Sequence, residues 1–292
     1  MRAARSAVSS TSLSDATTCK LENDMTTRRA LLAGAPATLF AAPSAMAQVF
    51  GEAGAGAGAA GVDTQALERL MARTLEGELG DGPIARQLAG HIADAGFRWE
   101  YPTFAMRDAN SIVAYSFGYR SATGRVNADN GLADGEETPQ PGPINAMLAD
   151  AVHAIRKARA VRVYAQWEIA AVLADKYAMT DVVPIHPVAG ADGRKTYLST
   201  DGVAQAAVAH AGSAQALGKV AVVGHRDHVK RCILVSRKNG MNAAAVREVP
   251  LPVQYDPQSA QPWTRRRDVY LLSDVVAQLT MVRTRLLSEL GG

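Results

Sequence analysis

Two kinds of apolar pattern alternate along this chain, and together they predict its architecture. In "DTQALERLMARTLEGEL", beginning at Asp63, the residues Leu67, Leu70, Met71, Thr74 and Leu75 recur at three- and four-residue intervals. That spacing builds one face of a helix, and the Asp63 carboxylate is placed to cap its first turn. A second, shorter helix is expected from Ile84 to Ala95, closed by Gly96.

From residue 111 the pattern changes to short continuous apolar runs: "SIVAYSFG", "VRVYAQ", "DVVPIHPV", "KVAVVG" and "AAAVREVPLPVQYD". These read as strands buried on both faces, the third weakened by Pro184. The intervening "INAMLADAVHAIRKA", "WEIAAVLADKY", "STDGVAQAAVAHAGSAQALG" and "DHVKRCILVSRKNG" have helical spacing, and Asn239-Gly240 makes a good stop for the last of them. The closing "RRRDVYLLSDVVAQLTMVRTRLLSEL" is a long amphipathic helix, and the polar, turn-rich "ADNGLADGEETPQPGP" is a loop. Buried strands alternating with helices predict an α/β fold: a doubly wound, Rossmann-like parallel sheet with helices on both faces, preceded by an N-terminal helical extension.

The first sixty residues are of another kind. "TTRRALLAGAPATLFAAPSAMAQ" has the pair Arg28-Arg29, an apolar alanine-rich stretch and the small-x-small Ala45-Met46-Ala47. This is the pattern of a twin-arginine export signal over residues 1–47, with Met25 as an alternative translation start. The apolar stretch is shorter than the roughly 20 residues a membrane span needs, so no permanent span is expected after cleavage. Residues 48–61 are a Gly/Ala-rich linker, 62–109 the helical extension and 110–292 the Rossmann-like domain. The expected location is periplasmic or secreted. Of two cysteines, Cys19 lies in the leader, so Cys232 has no intramolecular disulfide partner in the exported chain. Beyond residue 47 there remain 26 basic and 25 acidic residues, a balance without a nucleic-acid or membrane-surface footprint.

In a doubly wound sheet, ligands bind beyond the carboxyl ends of the strands. The residues there are Tyr115, Ser116, Gly118 and Tyr119; Gln166, Trp167 and Glu168; Ser199, Thr200 and Asp201; and Gly224, His225, Arg226, His228 and Arg231. Several of these groups open helices, whose free N–H groups and partial positive charge favour anions. His228 and Arg231, three apart, share a helix face, and a guanidinium fork there suits a phosphate or carboxylate. The same residues are also compatible with a structural His225, an Arg231 that pairs with Glu168 or another acid, or a metal held by His225 and His228 with His186 or Glu168. No HExxH, cysteine pair or carboxylate cluster supports the metal, and none is expected. GxGxxG, GxxxxGK[ST] and GxSxG are likewise absent. Cys232, between Arg231 and Ile233, is an activated thiol or, more simply, core.

The order of a strand ending in glycine, "PGPINAMLADAV", "YAQWEIAAVL", a Ser-Thr pair opening a helix, and strand-His-x-x-Arg in "GHRDHVKRC" resembles the YdcF/SanA/ElyC family of bacterial envelope-associated proteins, over about residues 110–290. The resemblance implies a pocket that includes Gly118, Glu168, Thr200, His228 and Arg231. It also implies a role in envelope maintenance, and one member of the family is reported to bind S-adenosylmethionine. The chain differs in its cleavable-looking signal, in its extra helices before Asn110 and in the lack of a glycine pair after the first strand.

The expectation is an exported enzyme acting on a small anionic or phosphorylated envelope metabolite. His228 and Glu168 would do its acid–base chemistry. Gly118, Gln166, Trp167, Ser199, Thr200, Gly224, His225 and Arg231 would bind the ligand. Two alternatives stand beside it: a non-catalytic module for a nucleotide-like ligand such as S-adenosylmethionine, and an envelope scaffold working through residues 62–96. No cofactor is specified.

Overall fold

The computed structural model describes residues 63–127, 129–132, 139–189 and 195–291. The export signal and the linker therefore lie outside the described residues. Two helices come first, α1 (Thr64–Leu79) and α2 (Gly82–Phe97), capped by the Asp63 and Asp81 carboxylates. Then follow β1 (Thr103–Phe104), β2 (Ser111–Ala114), α3 (Gly142–Ala158), β3 (Arg162–Gln166), α4 (Trp167–Tyr177), β4 (Val183–Ile185), β5 (Val188–Ala189), β6 (Lys195–Thr196), α5 (Thr200–Ala211), β7 (Lys219–Val223), α6 (Arg226–Lys238), β8 (Asn242–Val246) and α7 (Arg267–Leu290).

Six strands form one sheet in the order β1-β8-β7-β2-β3-β4, with every pairing parallel. Strand period two sorts the residues of β2 and its neighbours between the two faces. Ile112 and Ala114 of β2, Val163 and Ala165 of β3, and Ala221 and Val223 of β7 pack with Leu148, Val152 and Ile155 of α3 and with Ile169 and Leu173 of α4. Val113, Tyr164, Val220, Val222, Ala243 and Ala245 point the other way, against Val203, Ala204 and Ala207 of α5 and Val229, Cys232 and Ile233 of α6. Both faces are covered, so the α/β, doubly wound expectation holds. The winding reverses at β2, which lies between β3 and β7, and the crevice beyond β2 and β7 is the switch point at which such sheets bind ligands.

Local differences from the sequence reading have physical causes. α2 continues through Gly96 to Phe97 because Lys230, buried under it, donates from Nζ to the carbonyls of Asp94 and Arg98 and holds the last turn. "DVVPIHPV" divides: Val183–Ile185 is an edge strand, where Pro184 needs no ladder donor, and Val188–Ala189 pairs antiparallel with Lys195–Thr196 in a separate small hairpin. The expected third-crossover helix stops at Ala211, where Gly212 takes φ +85°, and its remainder is one 3₁₀ turn. β1 has two residues and no readable pattern, and it adds to the β8 edge. Among the described residues no helix is long and apolar enough to cross a membrane.

Candidate functional site

Beyond Ala114 the chain leaves the sheet, and side chains take over from the ladder. The Ser116 N–H donates to Gln166 Oε1 at 2.8 Å, and the Phe117 N–H donates to Asn145 Oδ1 at 2.9 Å. Asn145 Nδ2 donates to the Gly118 carbonyl. Gly118 has φ +70°, and a Cβ there would lie 2.5 Å from both Ser259 Oγ and Thr264 Oγ1, so this position requires glycine. The bend opens a cavity of about 380 Å³ whose lining includes Ser116, Gln166, Tyr197, Thr200, His228 and Arg231. Two hollows of about 540 and 660 Å³ lie elsewhere, beside α1–α2 and beside Arg120 and Arg265, and neither has a buried residue in its lining.

One wall comes from α6 and α7. Arg231 donates from Nε to Asp274 Oδ1 at 2.5 Å, from Nη1 to Thr200 Oγ1 at 2.9 Å and from Nη2 to Tyr270 Oη at 3.2 Å. The guanidinium has five N–H groups, so two are not spent on these partners, and Arg231 lines the cavity. Asp274 is wholly buried and also accepts from Tyr270 Oη and from Gln278 Nε2. Burial pushes its carboxyl up, but His228 and Arg231 outweigh that and hold it at about 2. His228 Nδ1 stands 3.8 Å from Asp274 Oδ1, an electrostatic contact too long for a hydrogen bond, and has no other partner among the described residues. The ring lines the cavity, and its Nε2 has no partner among the described residues. Burial first, and Arg231 second, lower its pKa to about 4, so the imidazole is neutral at pH 7.

Another part of the cavity wall comes from the β3–α4 junction and the residues after β6. Glu168, in the first turn of α4, is fully buried. Its Oε1 accepts a very short hydrogen bond from Tyr197 Oη, and Tyr197 Oη lies 2.6 Å from Ser116 Oγ. Oε2 has no partner. Desolvation raises the carboxyl to about 7 against the pull of these hydroxyls and of its own backbone N–H. At the edge of the cavity Ser199 caps α5, its Oγ accepting from the Gly202 N–H at 3.1 Å. The N–H groups of Thr200 and Asp201 have no acceptor among the described residues.

Six of the expected site residues therefore line one cavity: Gly118, Gln166, Ser199, Thr200, His228 and Arg231. The remaining four have other surroundings. Glu168 sits behind Tyr197 and does not face His228, whose acidic neighbour is Asp274. His225 caps α6: Nδ1 accepts from the Asp227 N–H at 3.2 Å, Nε2 meets the Gln254 carbonyl at 3.0 Å, and the ring stacks on Phe117 with centroids 4.0 Å apart. With both ring nitrogens engaged, His225 is a structural group and is not available to a ligand. The first N–H groups of α6 are likewise spent, on Pro252 and His225, so the open helix end is that of α5. Gly224 lets the end of β7 approach α6, since a Cβ would come 3.3 Å from Cys232 Sγ, and Cys232 is core with its thiol pushed up by burial. Trp167 packs edge-on against Tyr119 and leaves a buried Nε1 without a partner. His186 is exposed, and the described residues contain no group of three metal-ligating side chains.

Five important residues were missed by the sequence reading. Tyr270, Asp274 and Gln278, at four-residue intervals, put a polar stripe on the buried side of α7, a signal readable in "YLLSDVVAQ". Asn145 is a lone amide in the apolar face of α3. Tyr197 had no signal, because it arrives from the small hairpin. Compared with protein-family models, curated proteins and solved structures, the chain finds no match.

Proposed function

We propose that this cavity binds a small anionic or phosphorylated molecule and that His228 exchanges a proton with it. The observation that carries the reading is the position of His228, a neutral imidazole whose Nδ1 lies 3.8 Å from the buried carboxylate of Asp274, whose ring lines the cavity and whose Nε2 has no partner among the described residues. A buried carboxylate next to Nδ1 favours the tautomer in which Nε2 is the base and stabilises the imidazolium when it forms. The two unspent Arg231 N–H groups and the open α5 end would hold the anion.

The exported, envelope-associated setting rests on the Arg28-Arg29 leader and on the resemblance carried by Gly118, Glu168, Thr200, His228 and Arg231. Native mass spectrometry of the chain purified after its own export tests the ligand, with a small anion expected. The recovered molecule is then offered to His228→Gln. Loss of turnover by about 10²–10⁴ at retained binding supports proton transfer. Binding with no turnover by the wild type leaves a binding module, and recovery of cations or apolar molecules alone contradicts the reading.

A further inference from the structure

We infer that Ser116, Tyr197 and Glu168 form a proton wire that delivers a proton from a buried carboxyl to an oxygen of the bound ligand, and that the ligand is a small anion with a carbonyl oxygen beside its negative group. This rests on the reading that the cavity takes a small anion. The geometry is a three-group line: Glu168 Oε1, Tyr197 Oη and Ser116 Oγ are joined by two short hydrogen bonds, and both Tyr197 and Ser116 line the cavity.

Tyr197 has a single proton, which ties the direction of both bonds together. With Glu168 ionised, Tyr197 donates to Oε1, Ser116 must donate to Tyr197, and Ser116 shows the cavity a lone pair. With Glu168 protonated on Oε1 both bonds reverse, and the Ser116 hydroxyl turns its proton to the cavity. A carbonyl oxygen only accepts, so it selects the second state. As His228 takes a proton from the carbon beside the carbonyl, that C–H pair becomes the new C–C double bond and the carbonyl π pair moves to the oxygen; the Ser116 proton then passes to the oxygen, the Tyr197 proton to Ser116 and the Glu168 proton to Tyr197. At the ligand a C–H bond breaks and an O–H bond forms, an N–H bond forms at His228, the O–H bond at Glu168 breaks, and nothing is oxidised or reduced.

Two further observations favour a working group over a structural one. Glu168 Oε2 is buried with no hydrogen-bond partner among the described residues, although a structural carboxyl in a core is normally saturated. The groups acting on the carboxyl are the Tyr197 and Ser116 hydroxyls and its own backbone N–H, with no cation among them, and desolvation lifts it to about 7, where both states are within reach.

Isothermal titration calorimetry of the full chain, in buffers of different ionisation enthalpy, tests this with pyruvate and propionate, which share a carboxylate and differ by a carbonyl. Pyruvate binding is expected to take up as much as one proton and to weaken about tenfold per pH unit above neutrality. Propionate binding should show neither effect. Glu168→Gln and Tyr197→Phe should still bind pyruvate, with flat pH profiles and no uptake. Binding of both probes without proton uptake, or uptake that persists in Tyr197→Phe, overturns the wire and leaves the anion site standing. If neither probe binds, the anion site fails and the wire fails with it.

Discussion

The two walls of the cavity both take ionisable groups out of water and handle them in opposite ways. On the α6–α7 wall an ion pair, Arg231–Asp274, stays charged, and the imidazole beside it is kept neutral. On the Glu168 wall no counter-ion is present, and desolvation keeps the carboxyl near neutrality with a proton available to give. Burial disfavours the charged form in both places, so it keeps the histidine neutral and moves the glutamate toward its protonated form. The lesson is that partner choice sets the role of each wall: a charge network fixes geometry, whereas a chain of hydroxyls leaves the protonation state open.

Substitutions sharpen that contrast. Asp274→Ala leaves the Arg231 charge buried and unpaired and should cost about 3–5 kcal/mol in urea denaturation. Replacing both partners by apolar residues of similar volume, Arg231→Met with Asp274→Leu, should recover most of that loss. If Asp274→Ala is nearly neutral, the wall is not held by its ion pair. Tyr197→Phe takes one hydroxyl from the other wall and leaves Glu168 and Ser116 each short of a bond, an expected loss of about 1–3 kcal/mol. A loss equal to that of Asp274→Ala would erase the distinction between the walls. Ser199→Ala, which removes the cap of α5 between them, should cost about 1 kcal/mol by the same measurement and leave the cavity shape unchanged.

Much of this arrangement was legible in the amino-acid order. The continuous runs around Ile112, Val163 and Val222 have one stable solution, a parallel sheet covered on both sides, and the polar residues after them fall at its carboxyl edge. What pairs with what was not legible. His225 and His228 are three residues apart and look equivalent, yet one spends both nitrogens on the α6 cap and on Gln254, while the other faces Asp274. Arg231 and Asp274 are joined across 43 positions by the packing of α6 on α7, which no local pattern encodes. Glu168 was recognised, but its partner Tyr197 follows a two-residue strand whose pairing depends on tertiary contacts. Local patterns therefore located the cavity, while the pairing of the groups on its walls came only from long-range contacts.

The pH dependence of stability tests the two-wall account most directly. The folded-state pKa of His228 lies below the ordinary 6.5, so its contribution is present above that value and is lost as pH falls toward about 4. The folded-state pKa of Glu168 lies above the ordinary 4.5, so its contribution is present below that value and is lost as pH rises through about 7. In the wild type the two slopes oppose each other. The measurement is the unfolding free energy at about pH 4.5 and about pH 7.5 for the wild type, His228→Gln and Glu168→Gln. The account predicts that His228→Gln lowers the gain in stability between the two pH values, and that Glu168→Gln raises it, each by about 2–3 kcal/mol. Changes of the same sign in the two variants, or none in either, would contradict it.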